Sequence, residues 1–187
     1  MRIISGQWRG RKVAVLDRPG LRPTGDRARE TLFNWLGPSI QGQTVLDLFA
    51  GSGALGLEAA SRGAARVVLL ELDRRAADHL RDQVEDWPGR ERLEIHQADA
   101  LQWLEREPGP YDLVFVDPPH GLGLQIASLR ALLANQCLNP DARVYVESGL
   151  DEGWEEGASE WLDEHFELVK SRRVGQVELG LYRPSGL

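Results

Sequence analysis

Strand-like and helix-like stretches alternate along most of this chain, and this alternation is what most limits the folds it can adopt. After residue 40, runs rich in valine, leucine and isoleucine each precede a stretch whose apolar residues recur at helical spacing. The runs are almost wholly apolar, which is typical of parallel strands covered by helices on both faces. The predicted strands are residues 44–48, 66–71, 93–96, 111–116 and 142–147. The predicted helices are residues 55–62, 74–86, 100–106 and 124–137.

The two ends of the chain depart from this alternation. Residues 166–172 and 176–183 predict a C-terminal antiparallel hairpin beside the parallel sheet. Residues 2–5 and 12–16 predict a small N-terminal β-hairpin, and residues 26–36 predict a helix. We therefore expect an α/β protein with a doubly wound, mostly parallel seven-stranded sheet.

The predicted N-terminal extension, residues 1–40, also differs in charge from the predicted main domain, residues 41–187. Residues 1–29 hold eight basic groups against two acids, so they carry a charge of +6. The whole chain carries −7, which leaves −13 for residues 30–187. A basic segment on an acidic body favours contact with a polyanion, and nucleic acid is the first candidate. A solvated face that happens to be basic is the alternative.

Several residues of the basic segment are predicted to contact nucleic acid. They are Arg2, Arg9, Arg11, Lys12 and Arg22. Arginine suits this role because its guanidinium group pairs with phosphate through two hydrogen bonds and stacks on bases. Trp8 is a further candidate for stacking on RNA, and packing in the core of the N-terminal hairpin is its alternative role.

The cysteine content and the apolar stretches bear on the compartment in which the protein works. The single cysteine, Cys137, excludes an internal disulfide and fits a reducing environment. No apolar stretch approaches the ~20 residues that a membrane span requires. The first six residues also lack the apolar core of a signal peptide. We therefore expect a cytoplasmic protein without membrane contact, and a monomer.

Residues 47–56 join a predicted strand to a predicted helix through a glycine-rich loop, which predicts a site for a nucleotide-like cofactor. Gly51 and Gly53 let a ligand approach the backbone, because no Cβ stands in the way. The first N–H groups of the following helix point into the same loop. With Gly56, these glycines satisfy the dinucleotide-binding pattern, and Glu71 follows at the spacing of a ribose ligand.

Asp47 bears on the choice between two kinds of cofactor. It lies four residues before Gly51, where its carboxylate would stand close to a bound pyrophosphate and repel it. The same carboxylate suits the ammonium group of an amino-acid tail. S-adenosyl-L-methionine has such a tail and no phosphate, so we predict it as the cofactor. A nicotinamide dinucleotide is the competitor.

Acidic residues follow several predicted strands, at the edge where ligands of open parallel sheets collect. Glu71 is predicted to accept hydrogen bonds from ribose hydroxyl groups. Asp99 is predicted to accept from the adenine amino group, and capping of the next helix is its alternative role. The predicted cofactor site of the main domain comprises Asp47, Phe49, Ala50, Gly51, Ser52, Gly53, Glu71, Leu72, Asp99, Ala100 and Asp117.

The stretch Asp117-Pro118-Pro119-His120 follows an apolar strand and carries the predicted chemistry. Two consecutive prolines cannot continue the strand, because neither has an N–H to donate. The chain must turn there, which leaves the Asp117 carboxylate and the Pro118 carbonyl as hydrogen-bond acceptors. A planar amino group needs two such acceptors. We predict that these four residues are catalytic in methyl transfer to the exocyclic amine of a nucleobase, with His120 stacked on the base.

Taken in order, the glycine loop, the acids that end the strands and residues 117–120 resemble the motifs of class I S-adenosylmethionine-dependent methyltransferases, which have a Rossmann-like fold. Residues 1–11 and 21–30, with residues 145–148, extend the match, and the chain resembles the RsmD family over nearly its full length. The departure is at His120, where the family more often has phenylalanine or tyrosine. An imidazole stacks on a base more weakly than those rings do.

The resemblance implies a substrate and two further site residues. The family methylates N2 of one guanine in 16S ribosomal RNA, so the implied partner is 16S rRNA within the 30S subunit or an assembly intermediate. The N-terminal helix of the family helps to close the cofactor site, which implies that Thr24 and Arg27 lie near the methionine end of the cofactor. RNA docking and closure of the cofactor site are then the expected roles of the N-terminal extension. No metal is expected.

Three alternatives stay open. A DNA adenine-N6 methyltransferase would use the same acceptor chemistry, although this chain is small and has no target-recognition insert. A nicotinamide-dependent dehydrogenase would have to tolerate a pyrophosphate beside Asp47, and it gives no reason for the double proline. An inactive methyltransferase fold would serve as an rRNA assembly factor, although the site motifs here are intact.

Overall fold

The computed structural model describes residues 1–15, 25–106 and 109–186, and their strands form one seven-stranded sheet. In chain order the strands are β1 Thr44–Asp47, β2 Arg66–Glu71, β3 Leu93–Gln97, β4 Tyr111–Val116, β5 Leu138–Gly149, β6 Phe166–Val174 and β7 Val177–Pro184. Their order across the sheet is β3-β2-β1-β4-β5-β7-β6. β7 is antiparallel to both of its neighbours, and the other neighbouring strands are parallel.

The strand order reverses at β1 and β4, and this reversal places the ligand site. The chain first adds β2 and β3 on one side of β1, and later adds β4 on the other side. The helices that leave β1 and β4 therefore cover opposite faces of the sheet. A cleft opens at such a point, just outside the carboxyl ends of the strands. Asp47, the last residue of β1, pairs with Leu69 of β2 and Phe115 of β4, so the three strand ends are aligned there.

The helices cover both faces of the sheet and bury two hydrophobic clusters. In chain order they are α1 Asp26–Leu36, α2 Ala54–Ser61, α3 Arg74–Val84, α4 Ala100–Arg106, α5 Leu124–Ala134 and α6 Ala158–His165. Short 3-10 helices lie at Gly37–Ile40 and Arg90–Arg92. Apolar residues of α1, α2 and α3 pack in one cluster, and those of α4, α5 and α6 pack in the other. Among the described residues, no helix is both long enough and apolar enough to span a bilayer.

The predicted fold class and the seven strands are confirmed, but two boundaries are displaced by three or four residues and one helix was not predicted. α5 ends at Ala134 because Gln136 adopts a φ of 54°, which no right-handed helix can contain. β5 begins at Leu138, and its register shifts opposite Tyr111 and Leu113. The first residues of this strand include exposed positions, so they do not show the continuous apolar pattern by which the other parallel strands were predicted. α6 was not predicted; it has only eight residues, and three of them are acidic.

The N-terminal arm, residues 1–15, folds back on itself as a short antiparallel pair, as the sequence predicted, with backbone hydrogen bonds between its two ends. One antiparallel β-bridge joins Arg2 to Lys12. The side chains of Ile3, Trp8 and Val13 are buried in the same cluster as α1, α2 and α3. The arm is thus held both by burial of its apolar side chains and by hydrogen bonds to α2, where the Glu58 carboxylate accepts from the Ile4 and Ser5 N–H groups. The division of the chain into an extension and a main domain stays a prediction.

Candidate active site

A cavity of about 840 Å³ lies at the carboxyl edge of the sheet, where the strand order reverses. The glycine loop after β1, the ends of β2 and β3, the 117–120 stretch after β4 and the end of β5 all contribute to its wall. Of the residues predicted for the cofactor and catalytic sites, those that line it are Asp47, Phe49, Ala50, Gly51, Ser52, Glu71, Leu72, Asp99, Ala100, Asp117, Pro118, Pro119 and His120. The fold therefore brings together stretches that are far apart in sequence, such as Asp47 and Asp117, which are 70 residues apart.

The glycine loop has the backbone conformation that its sequence predicts. Gly51 and Gly53 have positive φ angles of 54° and 79°, a region that favours glycine. Gly53 is the residue before α2, and a Cβ there would approach Leu80 to 2.8 Å. A Cβ on Gly56 would lie 2.6 Å from Leu69, so this glycine lets α2 pack against β2. Only part of the glycine pattern faces the cavity, because Gly53 and Gly56 serve the packing behind it.

Glu71 connects the glycine loop to the end of β2. One carboxylate oxygen accepts from the Gly51 N–H at 3.0 Å, and the other accepts from the Asp73 N–H at 2.8 Å. A carboxylate has about four acceptor positions, so hydrogen bonds to a ribose are compatible with these two. Asp73 in turn caps α3, since its side chain accepts from the Ala76 N–H at 2.9 Å.

Asp99 caps the helix that follows it. Its Oδ1 accepts from the Gln102 N–H at 2.9 Å, in the first turn of α4. The alternative role that its sequence allowed is therefore present in the structure. Because Asp99 also lines the cavity, a role toward the cofactor stays a prediction.

Asp47 is a buried titratable group of the cavity with a strongly raised pKa. Its side chain is buried, and Oδ2 accepts from the Gly56 N–H at 3.0 Å. Burial raises the pKa of Asp47 to about 7, and the negative charges of Asp117 and Glu71 act in the same direction. An ionised carboxylate that is buried beside other negative charges is unfavourable unless a cation binds next to it. The arrangement therefore suits a ligand with a positive group, such as the ammonium of an amino-acid tail.

Glu147 is a site residue that sequence reasoning missed. It lies near the end of β5, lines the cavity and accepts a hydrogen bond from the Tyr145 hydroxyl at 2.8 Å. Burial raises the pKa of Glu147 to about 8, and the charge of Asp117 contributes. The signal that would have found it is an acid that follows a buried apolar strand, the same signal that identified Glu71 and Asp117.

The 117–120 stretch leaves β4 and forms one wall of the cavity. Pro118 is buried, whereas Pro119 and His120 are exposed. His120 lies against the loop after β5, with Nδ1 3.0 Å from Oε1 of Glu152. Glu152 also lines the cavity, and no feature of its sequence context pointed to it. The tetrapeptide and the glycine loop therefore face one enclosed space.

Two apolar side chains stand out at the rim of the cavity. Leu72 is 65% exposed after β2, and Leu122 is 59% exposed in the loop before α5. Leu72 was predicted to contact the cofactor, whereas Leu122 was not predicted. Exposed leucines beside a cleft provide apolar surface for the flat faces of bases.

Some predicted residues do not line the cavity. Arg27 is exposed on α1 and is not among the described residues that line the cavity. Thr24 and Arg22 lie outside the described residues. The predicted stacking of Trp8 on RNA is wrong, because its ring is fully buried and its Nε1–H donates to the Pro88 carbonyl at 2.8 Å. The alternative, packing in the core, is what the structure shows.

The exposed cations of the N-terminal arm are not among the described residues that line the cavity. Arg2, Arg9, Arg11 and Lys12 are all exposed. The turn of the arm is held at the far end of α2, where the Gln7 N–H donates to the Ser61 carbonyl at 2.7 Å. α2 begins at the cavity and has eight residues, so the turn of the arm lies about 12 Å from the cavity end of this helix. An RNA that contacts both the cavity and the turn of the arm must span this distance.

Comparisons with known proteins agree with this geometry. A family model described as "Conserved hypothetical protein 95" matches residues 1–183. Ribosomal RNA small subunit methyltransferase D of Escherichia coli is 43% identical over 183 residues, which cover 98% of this chain and 89% of the relative. The protein of the same name from Haemophilus influenzae is 41% identical over 98% of this chain and 93% of its own length. The solved structure of a putative methyltransferase from Escherichia coli matches with a TM-score of 0.84 and 41% identity, covering 100% of this chain and 99% of that one.

Proposed function

We propose, since this chain belongs to the RsmD methyltransferase family, that it transfers a methyl group from S-adenosylmethionine to the exocyclic N2 amine of one guanine in 16S ribosomal RNA. The observation that carries the proposal is the meeting of two features in one cavity. Asp47 is a buried acid with a raised pKa, and it would be stabilised in its ionised form by a bound cation. Asp117 and Pro118 line the same cavity and would supply hydrogen-bond acceptors for an amine. The relatives named as small-subunit rRNA methyltransferases support the choice of RNA.

The residues that would hold the cofactor fit its chemistry. When bound, S-adenosylmethionine supplies an electrophilic methyl group on a positively charged sulfur. Asp47 would face the ammonium of the methionine tail, and the positive-φ glycine loop leaves room for the ligand beside the backbone. Glu71 would accept from the ribose hydroxyls, and Asp99 with Leu72 would border the adenine. Thr24 and Arg27 would contact the methionine end of the cofactor, as the family resemblance implies.

The 117–120 stretch would orient the substrate amine. The guanine N2 lone pair is delocalised into the ring, which makes this nitrogen a poor nucleophile. The Asp117 carboxylate and the Pro118 carbonyl would accept its two N–H bonds, which favours a pyramidal nitrogen with its lone pair free to react. Asp117 would then take the proton that the methylated nitrogen loses, or pass it to water. His120 would stack on the base, which must leave its helix to enter the cavity.

The acidic wall disfavours a nicotinamide dinucleotide. Asp47, Glu71, Asp99 and Asp117 all line the cavity. A pyrophosphate brought among these groups would raise the energy of every ionised carboxylate near it. A cationic ligand lowers that energy. DNA adenine-N6 methylation stays the second candidate, because the acceptor pair of the 117–120 stretch fits an adenine amine equally well.

The decisive experiment uses labelled S-adenosylmethionine with unmodified 30S particles, naked 16S rRNA and DNA in parallel. Mapping of the label to N2 of a single guanine would support the proposal, and the particle and the naked RNA show which substrate is preferred. Label on adenine N6 in DNA would establish the alternative. Absence of transfer in a protein that binds S-adenosylhomocysteine would indicate an inactive fold, and preferential binding of NAD by calorimetry would exclude methyl transfer altogether.

A further inference from the structure

The carboxylate of Glu152 contacts His120 and joins three parts of the cavity wall. Oε1 of Glu152 lies 3.0 Å from Nδ1 of His120 and also accepts from the Gly121 N–H. Oε2 accepts from the Gly149 N–H at 3.0 Å and from Nε2 of Gln125 at 3.2 Å. The side chain is only 12% exposed. A single group therefore ties the loop after β4 to the end of β5 and to α5.

The geometry determines which edge of the His120 ring is occupied. Burial acts to raise the pKa of Glu152, but hydrogen bonds from Gly121 and Gly149 and the charge of His120 together hold it below its ordinary value. The carboxylate is therefore ionised at neutral pH and presents its negative charge to Nδ1 of His120. Nε2 of the ring lies 3.5 Å from Oδ2 of Asp151, whose side chain is 76% exposed.

The backbone at the end of β5 closes the third side of the ring. A Cβ on Gly149 would lie 2.8 Å from Cε1 of His120, so only glycine leaves the ring its present place. Both ring nitrogens face acids, and the ring carbon between them contacts Gly149. The edge of the imidazole is thus fixed, which leaves its faces as the surfaces available to a base in the cavity.

We propose that Glu152 is the positioning residue for the substrate base: it holds His120 by its edge so that the imidazole face clamps the flipped base in the cavity. A neutral phenyl ring at this position would be held by packing alone. In this chain the electrostatic contact with the ionised Glu152 replaces that packing and compensates for the weaker stacking of an imidazole. The inference rests on the proposed function, because it assigns the base-binding side of the same site.

The test is a double-mutant cycle on the full chain with 30S particles as substrate. We expect Glu152→Gln to raise KM for the particles about tenfold, with kcat changed less, because the electrostatic contact that holds the His120 ring is lost. In a His120→Phe background the same substitution is expected to change KM about twofold or less, because the ring no longer needs the carboxylate. Glu155→Gln is the matched control, since Glu155 lies in the same loop and pairs only with Arg130 on the surface among the described residues.

A purely structural role for Glu152 gives a different result. The hydrogen bonds to Gly121 and Gly149 persist in the His120→Phe background, so a structural defect would be equally large there. An equal effect in both backgrounds, or none in either, would overturn the proposal. Nitrogen NMR of the His120 ring supplies a readout independent of activity. We expect the signals of the His120 ring nitrogens to change on Glu152→Gln, and a spectrum that does not change would refute the contact even if the proposed reaction failed.

Discussion

The buried carboxyl group of Asp47 predicts that cofactor binding releases a proton near neutral pH. Burial raises the pKa of Asp47 to about 7 in the protein without ligand, with nearby negative charge contributing. An ammonium group beside it would favour the ionised form and lower that pKa. If bound Asp47 is always ionised, the apparent Kd scales as one plus the ratio of protonated to ionised Asp47. That factor falls about tenfold from pH 6 to pH 8.

Isothermal calorimetry with S-adenosylhomocysteine measures both the affinity and the proton. Titrations at pH 6 and pH 8, each in two buffers of different ionisation enthalpy, should give release of about 0.9 proton at the lower pH and about 0.1 at the higher. Asp47→Asn should remove both the proton release and the pH dependence. Methylthioadenosine, which lacks the amino-acid tail, is the matched ligand control and should bind equally well at both pH values.

The same shift predicts that Asp47 lowers the stability of the protein without ligand. The folded state binds the Asp47 proton more tightly than the unfolded state, so stability falls as pH rises from about 4 to 7 and is level above that. At pH 8 Asp47→Asn should therefore raise the free energy of unfolding, by about 4 kcal/mol at most. A wild-type affinity that is the same at pH 6 and 8 would refute the reasoning. Proton release that survives in Asp47→Asn would assign it to another group, with Glu147 the first to examine.

Three further predictions test other parts of the site and the fold. Asp117→Ala should abolish methyl transfer while S-adenosylhomocysteine affinity changes little, and an active variant would refute its acceptor role. Replacing Arg9, Arg11 and Lys12 with alanine should weaken RNA binding in a filter assay and reduce its dependence on salt, because fewer counterions are released; unchanged affinity would mean that RNA docks elsewhere. Trp8→Ala should lower the free energy of unfolding by about 3–5 kcal/mol in denaturant titration, since the ring is fully buried. A loss of RNA affinity without a loss of stability would contradict the buried role.

Local signals in the sequence predicted the parts of this protein that local physics controls. The apolar runs predicted the strands of the parallel sheet, because strands buried on both faces must be apolar along their length. The glycine loop was predictable because positive φ at Gly51 and Gly53 favours glycine. The turn at residues 117–120 was predictable because proline cannot continue a ladder of backbone hydrogen bonds. Each of these rules needs only neighbours along the chain.

Contacts between distant residues were decided by the tertiary structure alone. Trp8 looked like a candidate for RNA, but its burial depends on residues about 80 positions away, such as Trp87 and Pro88. The meeting of His120 with Glu152 depends on how the loop after β5 folds back on the loop after β4.

The sequence by itself therefore determined the fold class, the glycine loop and the acids at the strand ends, because these follow from backbone geometry and burial along single elements. The tertiary structure decided which acids share one cavity, how far burial shifts their pKa values, and which exposed-looking residues are core. Those properties depend on packing between elements, where a side chain of one element supplies the charge, the partner or the cover of another.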